Sequence, residues 1–287
     1  MTLLKSYYAL CKPNVVYMML ICAFVGMLLA EETVSSFSYL FISLFGIALC
    51  ASSAAAINQV IDRKTDASMT RTDQRPLPKG ELSVMHASIF AMTIGVIGAL
   101  ILFFYVNTLT MLLTIGSLIG YAFIYSVYLK RATPQNIVIG GLAGAAPPLL
   151  GWSSVTNTID PYALLLVLII FVWTPPHFWA LAVYRVDDYA DAEVPMLPVQ
   201  KGVPFTKQHI LLYTVLLIVA TMLPYTVQMF GEIYLISALL LGLIFLVYSL
   251  RLYRDDTNAL AMPTFAYSIF YLAALFAAML IDHFIYL

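Results

Sequence analysis

Three oxygen-bearing side chains, Asn58, Asp62 and Asp66, recur every four residues in the first of two acidic clusters. On a helix, each step of four residues rotates by only about 40° and rises by about 6 Å, so the three side chains share one face. Magnesium prefers hard oxygen ligands, usually one or two carboxylates completed by substrate phosphates and water. The spacing therefore predicts that Asn58, Asp62 and Asp66 bind Mg²⁺ together with a diphosphate.

The second cluster, Arg185-Val-Asp187-Asp188-Tyr189-Ala-Asp191, repeats the spacing of four between Asp187 and Asp191. Two acidic faces opposed across a helical bundle could hold metal ions around one diphosphate, which would neutralise the leaving group. The alternative is that both clusters are solvated loops at helix ends. Both clusters are predicted on the same face of the membrane, beside Pro-rich and basic segments, which favours a site for metal ions and a diphosphate.

Basic residues next to the clusters are candidates for binding the diphosphate oxygens. Arginine suits two-pronged phosphate contacts, whereas lysine acts as a point charge. These residues are equally consistent with loops that carry positive charge for topology alone. The candidates are Arg71, Arg75, Lys79, Lys130, Arg185 and Lys201.

Histidine supplies a second kind of candidate. His177, in Trp173-Thr-Pro-Pro-His-Phe-Trp179, lies in an apolar segment, where an ionisable group is a functional candidate, although a core histidine is the alternative. His209 is a weaker candidate at the start of a later apolar segment. His86 and His283 are interpreted as interfacial residues. Asp73 and Asp256 are interpreted as surface charges.

The elements that must position these residues are membrane helices. The chain has 287 residues, of which 62% are hydrophobic and 10% are charged, far below the roughly 25% charged residues of soluble domains. Apolar runs long enough to cross a bilayer, about 20 residues each, predict nine spans. They lie near residues 14–30, 38–57, 85–104, 108–128, 136–153, 162–184, 209–227, 233–250 and 265–285. The fifth span is expected to be broken at Pro147 and Pro148, the sixth at Pro175 and Pro176, and both to face the bundle interior.

Charge is segregated between the two sets of loops. All 14 Lys and Arg residues fall in the set that contains the N-terminus and both acidic clusters. The other set carries only Glu31, Glu32, Asp160, Glu232 and Asp282. By the positive-inside rule, the N-terminus and the clusters are cytoplasmic and the C-terminus lies outside. Because no Arg- and Ser-rich leader or signal-peptide pattern precedes the first span, we expect a bacterial cell inner membrane.

Several motifs together resemble the UbiA superfamily of intramembrane prenyltransferases, and within it the branch that farnesylates haem. They are Cys11-Lys-Pro, Asn58-x3-Asp62, Arg71-Thr-x2-Arg75-Pro-Leu, Tyr125-Ser-x-Tyr-x-Lys130-Arg131, Gly141-x2-Gly144-Ala-Ala-Pro-Pro, Pro176-His177-Phe, and Asp188-Tyr with Val194-Pro-Met-Leu-Pro. The resemblance extends from about residue 8 to about residue 211, and the last two spans match only as apolar helices.

This resemblance implies an all-α, polytopic membrane protein with about nine helices around a central cavity, formed by residues 1–287 as a single domain. It further implies Mg²⁺ as cofactor, with farnesyl diphosphate, haem b and the lipid bilayer as partners. The farnesyl group would pass to the 2-vinyl group of haem b to give haem O. A haem A synthase or a terminal oxidase assembly is a further candidate partner, and no nucleic acid is expected.

The resemblance also distributes roles. It implies Asp62, Asp66 and Asp188 as catalytic residues and His177, with His209, as haem-contacting residues. The chain has Asp191, Ala192 and Glu193 where the family commonly has small residues. Asp188 is therefore the stronger candidate ligand in the second cluster, and Asp191 depends on spacing.

Two other functions are compatible with parts of the sequence. Prenyl transfer to an aromatic quinone precursor would use the same first cluster, but a richer Asp repeat would be expected in the second. A secondary transporter binds substrate near the membrane midplane. Because the charges here cluster at one interface, the sequence favours the enzyme.

Overall fold

The computed structural model describes residues 3–30 and 36–286, which form helices without strands. Glu31 and Glu32 lie outside the described residues. The helices are α1 (Leu3–Leu10), α2 (Pro13–Leu29), α3 (Phe37–Ala67), α4 (Val84–Tyr105), α5 (Thr108–Ile119), a π-helical segment (Gly120–Leu129), α6 (Lys130–Ala132), α7 (Asn136–Ala145), α8 (Pro147–Thr156), α9 (Pro161–Tyr184), α10 (Val186–Asp191), α11 (Leu197–Lys201), α12 (Val203–Thr226), α13 (Glu232–Arg254) and α14 (Ala261–Tyr286).

The described helices confirm a polytopic membrane protein. Eight of them, taking α5 with the π-helical segment and α7 with α8, are long and apolar enough to cross a bilayer. The pair α1 and α2, bent by 48°, makes a ninth candidate. Side chains that face outward are large and apolar, such as Phe41 and Phe104, each 69% exposed. Such a surface is suited to lipid rather than water.

The centre of the bundle is formed by the two spans that carry consecutive prolines. The buried share is 67% for Asn136–Thr156 and 61% for Pro161–Tyr184, against 22% for Thr108–Leu129. The expected break in the fifth span is present, since α7 ends at Ala145 and α8 begins at Pro147. The expected break in the sixth span is wrong. Pro175 and Pro176 lie inside the continuous helix α9, where packing on all sides holds the chain helical despite two missing backbone donors.

Glycines bring α2 and α8 into backbone contact. A Cβ atom added to Gly26 would lie 2.2 Å from the carbonyl oxygen of Pro148, and one added to Gly151 would lie 1.8 Å from that of Ala23. No larger side chain fits at either position, because small residues are what allow membrane helices to approach closely. This contact fixes the first span against the broken fifth span.

Contacts at each end of the bundle agree with the predicted alternation of loops. At one end, Lys130 pairs with Asp62 and Thr70 bonds to Asp188. At the other end, the carboxylate of Asp282 accepts hydrogen bonds from the backbone of Gly231 at 2.6 Å and Tyr234 at 2.9 Å. A cavity of about 600 Å³ lies beside Asp282, away from the acidic clusters.

Candidate functional site

The first cluster projects from the last three turns of α3. Asn58, Asp62 and Asp66 are 3%, 3% and 4% exposed, so the predicted common face points into the protein. The apolar run was predicted to end near residue 57, and the helix that carries the three side chains continues to Ala67. Neighbouring polar groups bond to each of the three side chains, which lowers the cost of burying them.

Each of the three side chains holds a basic partner. Lys130 lies 2.7 Å from Oδ2 of Asp62, and Arg75 lies 2.6 Å from Oδ2 of Asp66. Lys12 donates to Oδ1 of Asn58. These short charge-assisted contacts neutralise carboxylates that would be costly to bury alone.

The π-helical segment places Ser126 and Lys130 on the same side of the site. Its wider turn is visible in the bond from the Ser126 hydroxyl to the carbonyl of Tyr121, five residues earlier, at 2.9 Å. The amide of Asn58 donates to Ser126 at 2.8 Å and to Asp62 at 2.9 Å. The segment therefore fixes the orientation of Asn58 and leads directly into Lys130 at the start of α6.

The aspartates of the second cluster, on α10, differ in how far they are buried. Asp188 is half-buried and accepts from the hydroxyl of Thr70 at 3.1 Å and from Arg185 at 3.2 Å. Asp187 and Asp191 are exposed. The contacts of α10 therefore favour Asp188, and the opposition of the Asp187–Asp191 face to the first cluster stays a prediction.

The loop after α3 connects the two clusters. Besides the bond from Thr70 to Asp188, this loop carries the exposed Arg71, whose guanidinium lies close enough to Tyr189 to act on its hydroxyl. Burial raises the pKa of the Tyr189 hydroxyl, and the Arg71 guanidinium opposes that rise. The loop therefore contacts both clusters, through Arg75 at Asp66 and Thr70 at Asp188.

The other basic residues predicted to bind diphosphate are more exposed and make fewer contacts with the acidic clusters. Arg185 is 36% exposed in its side chain, pairs with Asp188 and lies over the ring of Tyr184. Lys79 and Lys201 are exposed.

His177 is buried on the face of α9 that packs against α14. Its ring stacks between Trp173, at 4.2 Å between centroids, and Phe265, at 4.6 Å. Its Nδ1 lies 2.7 Å from the hydroxyl of Ser268, whose own proton is donated to the carbonyl of Phe265 at 2.6 Å. In this arrangement Nδ1–H donates to Ser268, and the lone pair of the neutral imidazole is on Nε2.

His209 lies elsewhere. It bonds to the carbonyl of Phe205 at 2.9 Å and packs edge-on against Trp179. Positions 177 and 179 are about 200° apart on a helix. The two histidines therefore contact different faces of α9, and the structure does not bring them together.

Lys12 and Ser126 were missing from the site predicted from the sequence. The sequence does indicate Lys12, because this lysine directly precedes Pro13 and the first apolar run. A charge so close to a membrane span is unfavourable unless it has a binding partner. Asp73, interpreted as a surface charge, is half-buried, and its Oδ1 is buried without a hydrogen-bond partner among the described residues.

The first cluster fits a metal ion. Oδ1 of Asp62 is buried and has no hydrogen-bond partner in the described part of the chain. Such an orphaned acceptor is unfavourable unless a ligand satisfies it. Within the described residues no three His, Cys, Asp or Glu side chains could hold a metal by themselves. This donor set suits Mg²⁺, which binds one or two carboxylates and completes its shell with phosphate oxygens and water.

Comparisons with known sequences agree on one family. A model described as the UbiA prenyltransferase family matches residues 19–280. The chain is 57% identical over 281 residues to the protoheme IX farnesyltransferase of Hahella chejuensis (strain KCTC 2396), covering 98% of this chain and 94% of that protein. It is likewise 57% identical over 280 residues to the protoheme IX farnesyltransferase of Legionella pneumophila (strain Corby), covering 98% and 95%.

Solved structures share the fold. A structure of digeranylgeranylglyceryl phosphate synthase is similar with a TM-score of 0.80 at 18% identity, covering 99% of both chains. A UbiA homolog from Archaeoglobus fulgidus bound to GPP and Mg²⁺ is similar with a TM-score of 0.69 at 18% identity, covering 96% of this chain and 99% of that one. At these identities the similarity establishes the helical architecture alone.

Proposed function

The chain belongs to the UbiA prenyltransferase family, and from that premise we propose that it transfers farnesyl from farnesyl diphosphate to the 2-vinyl group of haem b. Relatives that are 57% identical over 98% of the chain carry the name protoheme IX farnesyltransferase. The observation in the molecule that carries the proposal is the buried, polar face of Asn58, Asp62 and Asp66 at one end of an apolar bundle.

The first cluster would bind the metal and diphosphate. Asn58, Asp62 and Asp66 would hold Mg²⁺, which supplies charge neutralisation for the departing diphosphate. Lys130 and Arg75, paired at present with the two carboxylates, are placed to take diphosphate oxygens. Their positive charge stabilises the leaving group as its bond to the allylic carbon of the farnesyl chain breaks.

From the second cluster, we propose Asp188 as the residue that faces the same diphosphate. Its support is its half-buried position and its bond to Thr70 on the loop that follows α3. Arg71 lies on that same loop and belongs with it. The exposed Asp187, Asp191, Lys79 and Lys201 have weaker support.

His177 is the residue proposed to contact haem. Its Nε2 lone pair is the form of imidazole that binds haem iron, and stacking against Trp173 and Phe265 fixes the ring. The vinyl carbon of the bound haem attacks the allylic carbon as diphosphate leaves, and water adds to the resulting cation and loses a proton. His209, on α12, contacts another face of α9 and is not required by this proposal.

Incubation of the purified protein in detergent with haem b, farnesyl diphosphate and Mg²⁺ tests the proposal. We expect the farnesylated, hydrated haem by mass analysis, and none when Mg²⁺ is removed by a chelator. Product from an aromatic quinone precursor instead of haem would support the first alternative. Absence of diphosphate release with either acceptor would support a transporter.

We also propose a bacterial inner membrane address, with the basic end and both clusters facing the cytoplasm, as the positive-inside rule requires. Residues 1–287 would form one transmembrane domain, since α9 contacts helices from both halves of the chain, including α7 and α14. The apolar product would leave through the bilayer, so a membrane-bound haem A synthase or oxidase assembly is the proposed recipient.

A further inference from the structure

Lys12 is directed into the candidate site by its backbone. It lies at the 48° bend between α1 and α2, with φ 48° and ψ 59°. Residues with a Cβ rarely adopt this left-handed conformation. The side-chain amide of Gln59 donates to the carbonyls of Ala9 and Leu10 at 3.0 Å each, which fixes the end of α1 just before the bend. Neighbouring residues of α3 therefore hold the bend and receive the lysine.

The charges of the site are unequal. Asp62 pairs with Lys130 and Asp66 pairs with Arg75. Lys12 bonds to Asn58, which carries no charge. Lys12 is therefore the basic group in excess of the two carboxylates.

This excess charge opposes a metal ion that arrives alone. The metal ion would compete with the ammonium of Lys12 for the side-chain oxygen of Asn58, which the metal needs as a ligand. A diphosphate is the anion that removes this conflict, because it offers the ammonium a new partner. Lysine suits such a transfer, since its charge sits on a flexible stem and its present partner is neutral.

We infer that Lys12 is a further binding residue of the site, which occupies Asn58 in the metal-free protein and moves to the diphosphate when metal and substrate bind. The inference rests on the proposed function. It makes the binding of metal and of diphosphate cooperative, and by linkage the coupling is the same in both directions.

Two binding measurements on the full chain in detergent test this inference. Mn²⁺ binding without diphosphate is followed by the loss of the free-ion electron paramagnetic resonance signal. Binding of radiolabelled farnesyl thiodiphosphate, which reacts slowly, is followed by equilibrium dialysis in excess Mg²⁺. We expect Lys12→Met to tighten Mn²⁺ binding by about tenfold and to weaken binding of the farnesyl thiodiphosphate by about tenfold. Removal of a unit charge a few ångströms away accounts for both changes.

The opposite signs separate this role from a structural one, because a damaged site would lose affinity for both ligands. Lys12→Arg keeps the charge and should stay close to the wild type in both measurements. Lys64→Met is the matched control, since Lys64 is exposed on the opposite side of α3 and the change removes the same charge. It should leave both affinities within about twofold.

The inference is overturned if a folded Lys12→Met protein binds Mn²⁺ no more tightly than the wild type, or loses affinity for both ligands. Gel filtration and thermal unfolding establish folding, and Lys12→Gln replaces Lys12→Met if the latter does not fold. A wild-type protein that binds neither ligand and makes no farnesylated haem would instead refute the proposed function.

Discussion

Asp62 is the side chain on which most contacts of the site converge. Asn58 and Lys130 both donate to its Oδ2, and its Oδ1 is buried without a partner among the described residues. We predict that Asp62→Ala lowers turnover by about 100-fold or more, the range for removing one preorganised stabilising group. Product formation in detergent measures the effect. A folded variant with near-normal turnover would remove Asp62 from the site.

Asp187 and Asp188 are neighbours with different surroundings, and they form a matched pair. Asp188 is held against Thr70, whereas Asp187 is exposed. We expect Asp188→Asn to reduce turnover by about 10- to 100-fold, as loss of a ligand or its support does, and Asp187→Asn to have a clearly smaller effect. Steady-state kinetics of the two variants, prepared side by side, make the comparison. Equal losses would contradict the assignment of Asp188.

His177 offers a test by spectroscopy. Because Ser268 fixes the proton on Nδ1, Nε2 is available to haem iron. We expect His177→Ala to weaken haem retention and to change the haem absorbance spectrum on titration. Ser268→Ala, which frees the tautomer but keeps the imidazole, should have a smaller effect. A titration curve and spectrum identical to those of the wild type would exclude His177 as a ligand.

Spacing alone predicted the common face of Asn58, Asp62 and Asp66, because the periodicity of a helix is local. It could not predict that Lys12 and Ser126 complete the face. Those contacts join residues 46 and 68 positions apart, and they depend on how helices pack. The inward turn of Asp188 was also hidden, since α10 is too short for its pattern to show which side is buried.

The π-helical segment sets the register between Ser126 and Lys130. Deletion of Val127, which is 53% exposed, should allow an ordinary helix and rotate Lys130 by about 100° relative to Ser126. We predict a loss of turnover of about 100-fold, the cost of misplacing a group that positions substrate, with helix content by circular dichroism unchanged. Val127→Ala, which keeps the register, is the control. Full activity of the deletion protein would show that the register is unimportant.

Hydrophobicity located the membrane helices to within a few residues, as for α4, predicted at 85–104 and observed at Val84–Tyr105. Apolar runs report only where lipid or a core covers the chain. They did not reveal the π-helical segment, nor the continuation of α3 to Ala67, where buried polar contacts replace lipid. The same limitation explains why Pro175 and Pro176 were wrongly expected to break α9.

All the basic residues at one end make the orientation of the molecule testable. We predict that alkaline phosphatase fused after Leu287 is active, because the proposed orientation places the C-terminus outside, and that the same enzyme fused after Arg254 is inactive. Green fluorescent protein fusions at the two positions should give the reverse pattern. The opposite result for both reporters would invert the orientation and place the acidic clusters outside.

The two consecutive prolines of α9 leave the carbonyls of Phe171 and Val172 without the amide donors that a regular helix supplies. The helix therefore lacks two backbone hydrogen bonds in the turn before His177, and its helical structure is least stabilised there. The missing hydrogen bonds lie just before His177, so the part of α9 from His177 to Tyr184 is joined to the rest of the helix by fewer backbone hydrogen bonds than a regular helix has.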